Sequence, residues 1–314
     1  MKINEFNTDG TRMKRIALLR CGKLPSFVTW DVPNLDELFE EDQLLRHGFE
    51  ARGFEASSVV WNDPAIDWDR FDVALIRSTW DYIDEPEQFR RVLATIEASP
   101  CRLFNPSAAV RWNMDKSYLF DLTEWGVPVI PTYAAATADA ALRQTFLDRQ
   151  WHDVILKPTV GLGAANTYRI PLDELDATLA RLHGEQPRHD YLIQPFIDSV
   201  VTEGEWSFIY FNGQLSHVLL KKPAPDDYRV QGIYGGTVQP AEPTARDLRQ
   251  VEAVLARLPF DVLYVRLDFI RIGEELAVIE VELIEPIFSF NLVPASIDRL
   301  VDATRLRFET SGAG

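Results

Sequence analysis

Cysteine is scarce: the 314-residue chain has two, Cys21 and Cys101, and no CxxC spacing. That argues against a thiolate zinc site and against thioredoxin-type redox chemistry. Two reduced thiols fit a cytoplasmic protein. Positive charge is also short, with a formal net charge of −16. Nonspecific binding to nucleic acid or to an anionic membrane is disfavoured. An anionic substrate must then be drawn in by a local basic cluster. No apolar run reaches membrane-spanning length. The start, residues 1–13, is polar and lacks the apolar core of a signal peptide, so it reads as a flexible leader. Neither GxxxxGK nor GxGxxG is present, and none of the five histidines sits in a recognisable nucleophile context. Internal repeats and low-complexity tracts are lacking too.

What is there is ordinary globular composition, 46% hydrophobic and 25% charged. Strand patterns over residues 15–21, 54–61 and 72–76 alternate with helical patterns over 36–52 and 86–98. Such alternation predicts a doubly wound parallel sheet. Ligands bind beyond the carboxyl ends of such strands, which places Arg77, Ser78, Thr79, Trp80, Asp81 and Tyr82 at a site edge. A surface ion pair of Arg77 with Asp81, with Trp80 as packing, is the competing reading. A short strand over 103–106 precedes a helix over 113–125 that carries Lys116. Strands over 154–158 and 190–197 follow, then a hairpin over 205–220 turning at Asn212-Gly213. Helices are expected over 246–257 and 295–308.

The carboxylates carry the chemistry. Two apolar stretches hold Asp268, Glu280 and Glu282. Glu280 and Glu282 are two apart and share one face of a strand. Burying such a pair is costly unless a cation lies between them. Hard oxygen ligands suit Mg²⁺, which usually also takes substrate phosphates. A phosphate site is offered by Lys157 and the loop behind it, with Gly161 and Gly163. The segment Gln194, Pro195, Phe196, Ile197 can frame an adenine, and Glu203 or Glu205 a ribose; a plain edge strand and an acidic loop are the competing readings. Lys221 and Lys222, with Arg229, form a basic patch in an acidic chain; Gln231, Tyr234, Gly235 and Gly236 follow it.

The order of these parts resembles the ATP-grasp superfamily, from about residue 105 to 286. Gly204-Glu-Trp-Ser, Asn212-Gly213 and the stretch from Arg229 to Gly236 resemble its glutathione synthetase-like branch. Arg77-Ser-Thr-Trp-Asp-Tyr, Trp112-Asn-Met-Asp-Lys, Gln194-Pro-Phe and Glu280-Val-Glu-Leu-Ile-Glu-Pro are similar to the group that holds the cyclo-ligase of D-cycloserine biosynthesis. The resemblance implies an α/β ATP-grasp fold. A substrate-binding domain would span residues 14–112, a central lid subdomain 113–197 and a C-terminal metal subdomain 198–314. It implies ATP held by Lys116 and Lys157, and two Mg²⁺ held by Asp268, Glu280 and Glu282. Lys221 or Lys222 and Arg229 would steady the transferring phosphoryl and the substrate carboxylate, with Arg77 as a second carboxylate clamp. The third metal position is usually asparagine, and here it is Glu282. The glycine loop has Ala164 and Ala165 where glycines might stand. The implied activity is an ATP-dependent carboxylate–amine ligase on a small amino-acid-type substrate, through an acyl phosphate. It includes intramolecular closure of the O-ureido-D-serine to D-cycloserine type. A ligase joining two molecules, a small-molecule kinase and a non-catalytic nucleotide-binding regulator are the alternatives. A cytoplasmic homodimer is implied, with no nucleic-acid or membrane partner.

Overall fold

The computed structural model describes residues 13–29, 39–186 and 190–310. The expected leader, up to residue 12, and the start of the first expected helix lie outside them. Four strands, β1 (Arg15–Arg20), β2 (Glu55–Val60), β3 (Val73–Ile76) and β4 (Arg102–Phe104), form a parallel sheet in the order β2-β1-β3-β4. Ile16, Leu18, Val73 and Leu75 pack on one face against Leu45 and Phe49 of helix α1 (Glu40–Ala51). Ala17, Leu19, Ala74 and Ile76 pack on the other against Phe89, Leu93 and Ile96 of helix α2 (Pro86–Glu97). Both faces are covered, which is why β1 and β3 read as unbroken apolar runs.

The helix expected over 113–125 is two helices, α3 (Ser107–Asn113) and α4 (Tyr118–Glu124). Lys116 lies in the link between them, not on a helix. Asp115 Oδ1 accepts from the Ser117 N–H at 2.8 Å, and the Lys116 N–H is spent on Thr159 O at 2.7 Å. An aspartate that bonds the backbone two residues on favours a turn over a helix. Tyr118, Leu119, Leu122 and Val127 share a core with Phe208, Val265 and Val281 of the C-terminal sheet. The chain then bridges Val129 to Val278 before entering the central unit.

That unit is a four-stranded antiparallel sheet of β5 (Tyr133–Ala134), β6 (Asp153–Pro158), β7 (Tyr168–Pro171) and β8 (Tyr191–Pro195), in the order β5-β8-β6-β7. Val154 and Leu156 face a core with Leu142 and Phe146 of helix α5 (Ala140–Asp148) and Leu175 and Leu182 of helix α6 (Leu175–Glu185). The alternate residues, Ile155 and Lys157, turn to the opposite face. β8 is an interior strand, not an edge. The glycine loop, 159–167, is the connection of the β6–β7 hairpin.

The third sheet is antiparallel, in the order β11-β10-β9-β12-β13: β9 (Glu205–Phe211), β10 (Gln214–Lys222), β11 (Thr237–Pro240), β12 (Tyr264–Ile272) and β13 (Glu275–Glu282). Asn212 and Gly213 turn β9 into β10 with φ of 48° and 73°, the left-handed pair that a two-residue hairpin needs. A capping box of Thr244 and Asp247 opens helix α7 (Ala245–Leu255). The last helix, α8 (Ala295–Thr310), packs back on the first sheet, with Leu300 and Val301 in the core of Leu45 and Phe49. Asn105 fastens the first sheet to the third. Its amide donates to Tyr264 O and Leu283 O, each at 2.8 Å, and accepts from Leu263 N–H at 2.7 Å.

Candidate functional site

Register builds the acidic cluster. Asp268 on β12 stands opposite Glu280 on β13, and Arg266 opposite Glu282. Residues directly opposite in a ladder share a face. One oxygen each from Asp268, Glu280 and Glu282 falls within 4.8 Å of the others. Three carboxylates and no softer donor make a set that fits a divalent cation of the Mg²⁺ class.

The structure surrounds this cluster with cations. The Arg266 guanidinium bonds Asp268 at 2.8 Å and also bonds Glu282. Lys221 Nζ is 2.7 Å from Glu205 and 3.4 Å from Asp268. Lys116 Nζ is 3.2 Å from Glu280 and donates to Gly161 O at 2.6 Å. Lys157 Nζ donates to Ile279 O at 3.3 Å. Burial pushes the Lys157 ammonium down to about 8, helped by Lys116 and opposed by Glu280. Burial raises the Glu282 carboxyl against the pull of Arg266. Ser207 Oγ donates to Asp268 at 2.6 Å, orienting it.

These acids and cations open on one cavity of about 690 Å³ between the central and C-terminal sheets. Lys116, Lys157, Glu205, Lys221 and the three acids line it. Gly161 and Gly163 form its roof with Ala164. Gly163 and Ala164 have φ of 59° and 58°. The loop therefore keeps a left-handed pair although one member is alanine, at some steric cost. Gln194, Pro195, Phe196 and Ile197 form a further wall. Gln194 is anchored by Thr132 Oγ1 at 2.9 Å, and the Arg169 guanidinium lies 3.6 Å from the Phe196 ring centre. Arg229 and Gln231 line the mouth. Arg229 is gripped in a two-point pair by Asp227 and lies over the Tyr234 ring at 3.6 Å.

Several expected residues do not reach the cavity. Arg77 is buried among Glu41 (3.4 Å), Asp42 (3.7 Å) and the Phe288 ring (4.4 Å). Neither a carboxylate clamp nor an ion pair with Asp81 describes it. Its first-turn partners on α1 and the interior of the fold hold it between domains. Ser78 bonds Asp42, and Thr79 is fully buried. Asp81 accepts from Trp61 Nε1 and Gly22 N–H. Tyr82 is buried against Glu285. Of this run only Trp80 lines the cavity, stacked on Phe39 at 5.5 Å. Glu203 is taken by Arg271 at 3.0 Å and Trp206 Nε1 at 2.6 Å, so Glu205 is the one of the two at the cavity. Lys222 points away, as alternation from Lys221 requires. Tyr234, Gly235 and Gly236 shape the 223–236 loop instead. A Cβ on Gly236 would meet Val230 O at 2.1 Å.

Sequence reasoning passed over two charged cavity residues, Arg266 and Glu285. Glu285 stands inside the quoted Glu280-Val-Glu-Leu-Ile-Glu-Pro motif, and Arg266 two residues before Asp268. Only the register of β12 on β13 reveals Arg266 as the partner of Glu282.

Comparison with known proteins agrees with this geometry. A family model described as the D-cycloserine synthetase DcsG N-terminal domain matches residues 16–105. The cycloserine biosynthesis protein DcsG of Streptomyces lavendulae is 31% identical over 54% of this chain and 58% of its own length. A glutathione synthetase of Rhodopseudomonas palustris is 26% identical over 66% of this chain and 64% of its own. The matched stretch thus spans less than two thirds of either relative. The crystal structure of D-cycloserine synthetase DcsG superposes with a TM-score of 0.77 at 25% identity, covering 94% of this chain and 99% of that one. A D-alanine–D-alanine ligase from Bacillus anthracis complexed with ATP shares the fold, with a TM-score of 0.66 at 15% identity over 95% of this chain and 99% of that one. The model described as the prokaryotic glutathione synthetase ATP-grasp domain matches residues 122–288, more than half of the 314 residues, and the chain therefore belongs to the ATP-grasp family.

Proposed function

We propose that this chain is an ATP-dependent carboxylate–amine ligase acting through an acyl phosphate on a small amino-acid-type substrate. The observation that carries the reading is the convergence of Lys116, Lys157, Asp268, Glu280 and Glu282 on one cavity. In this reading Lys116 and Lys157 hold the phosphates, and the roof loop from Gly161 keeps water from them. Gln194 through Ile197 frame the adenine, and Glu205 faces the ribose. Asp268, Glu280 and Glu282 would hold two Mg²⁺, which would supply positive charge to the phosphates as they react. Lys221 neutralises charge on the transferring phosphoryl. Arg229 and Gln231 face the substrate.

A carboxylate is a poor electrophile because oxide would have to leave. Its oxygen attacks the γ-phosphorus and ADP departs. The amine nitrogen then attacks the acyl carbon and phosphate departs. The protein's share is positioning and fixed charge, with water kept out of a hydrolysable acyl phosphate. Likeness to DcsG supports an intramolecular closure, as in O-ureido-D-serine to D-cycloserine, over the joining of two molecules. A cytoplasmic homodimer is part of the proposal; among the described residues no helix is long and apolar enough to cross a membrane.

The test is an ADP-release screen with Mg²⁺ over ureido-amino acids, amino acids and dipeptides. ADP release with O-ureido-D-serine, accompanied by D-cycloserine, is the expected result. Nucleotide binding with no release on any substrate would leave a regulator. A stable phosphorylated product would make the chain a kinase.

A further inference from the structure

Each carboxylate on the cavity wall forms a close ion pair, with one exception among the described residues; Glu285 feels Lys116 only at longer range. Asp268 has Arg266 and Lys221, Glu280 has Lys116, Glu282 has Arg266 and Glu205 has Lys221. Glu285 lines the same cavity, is 9% exposed, and forms no ion pair among these residues. Its Oε1 accepts from the Tyr82 hydroxyl at 3.4 Å. Its Oε2 is out of solvent and has no partner. A buried carboxylate left in this state is costly, and the cost is removed when a cation arrives.

We infer that Glu285 is the residue that receives the ammonium group of the substrate, with Tyr82 as the positioning residue that aims it. The inference rests on the ligase reading and narrows its substrate class. Glu285 stands three residues beyond Glu282, the last residue of β13, and lines the same cavity as the metal-type acids. The carboxylate to be phosphorylated has to lie beside those acids. A cation at Glu285 is then only a few atoms from the reacting carboxylate, so the substrate is a free, unacylated amino acid derivative. A carboxylic acid lacking the amine, or an N-acylated one, leaves Glu285 buried and unpaired. Sites that hydrogen-bond or pair a substrate group discriminate strongly against analogues lacking it, for that reason. The ammonium here is a recognition group and takes no part in bond making.

The test uses the full chain saturated with Mg²⁺ and AMP-PNP. Free amino acids and ureido-amino acids, O-ureido-D-serine among them, are titrated beside their N-acetyl forms. The expected result is a preference of at least tenfold for free over N-acetyl forms in the wild type. E285Q abolishes that preference while AMP-PNP binding stays within twofold, and Y82F reduces it. In turnover, E285Q raises KM for the amino acid more than it lowers kcat. Lack of any preference in the wild type, or retention of it by E285Q, overturns the inference while leaving the ligase reading in place. Failure of the wild type to bind AMP-PNP overturns the ligase reading itself, and this inference with it.

Discussion

Lys116 Nζ lies 3.2 Å from a carboxylate oxygen of Glu280. The lysine belongs to the link between α3 and α4, and the acid to β13. Their contact closes the cavity floor, and Lys116 also holds the glycine loop through Gly161 O. A metal-bound triphosphate would replace this pair with metal on the acid and phosphate on the lysine.

Removing the acid of that pair, or the second lysine beside it, is predicted to disable turnover. Lys157→Ala and Glu280→Ala should each lower kcat for ADP release by at least ~100-fold, the usual size of a lost electrostatic contact. Near-wild-type release by either variant would count against the nucleotide assignment.

Arg266 and Glu282 should be energetically coupled. Arg266→Met leaves Asp268 and Glu282 facing each other without their shared cation, a costly change. Adding Glu282→Gln should recover part of the loss, with a coupling energy of about 0.5–3 kcal/mol in a double-mutant cycle. Denaturant midpoints of the four proteins measure it, and strictly additive effects would show the pair to be idle.

Asn105 is fully buried and its side chain bonds four backbone groups, two carbonyls and the Leu263 and Tyr264 N–H groups. Asn105→Ala removes the partner of two carbonyls and two N–H groups at the joint between the first and third sheets. A loss of about 2–3 kcal/mol is expected from unsatisfied buried groups. Chemical denaturation of both proteins reads it; an unchanged midpoint refutes the joint.

His217 sets a pH dependence of stability. Its Nε2 is 2.7 Å from Phe288 O, and burial lowers its proton affinity, with Arg299 adding to the effect. The unfolded chain binds the proton near the ordinary histidine value of about 6.5, while the folded chain resists it. Stability from this group is therefore whole above ~6.5 and declines as pH falls below it. The slope between pH 7 and 5.5 should be shallower in His217→Gln than in the wild type. Equal slopes would mean that His217 titrates alike in both states.

The acid set was legible because it obeys a period of two: Glu280 and Glu282 had to share a face, and Asp268 stood in the adjoining apolar run. The Asn212-Gly213 turn was legible because few sequences supply two left-handed residues in succession. Lys116 was misplaced on a helix because its neighbours continue a helical pattern, whereas Asp115 and the distant Thr159 O decide the break. Arg77 pointed towards the cavity by its position after β3, yet Glu41 and Asp42 claim it.

Local pattern thus determined the first parallel sheet, the β9–β10 hairpin and the face shared by Glu280 and Glu282, because alternation and turn chemistry act between near neighbours. Tertiary structure alone decided which charges meet: Arg266 with Glu282, Lys221 with Glu205, and Glu285 with none among the described residues. Those pairings depend on strand register and domain docking, which bring together side chains far apart in sequence.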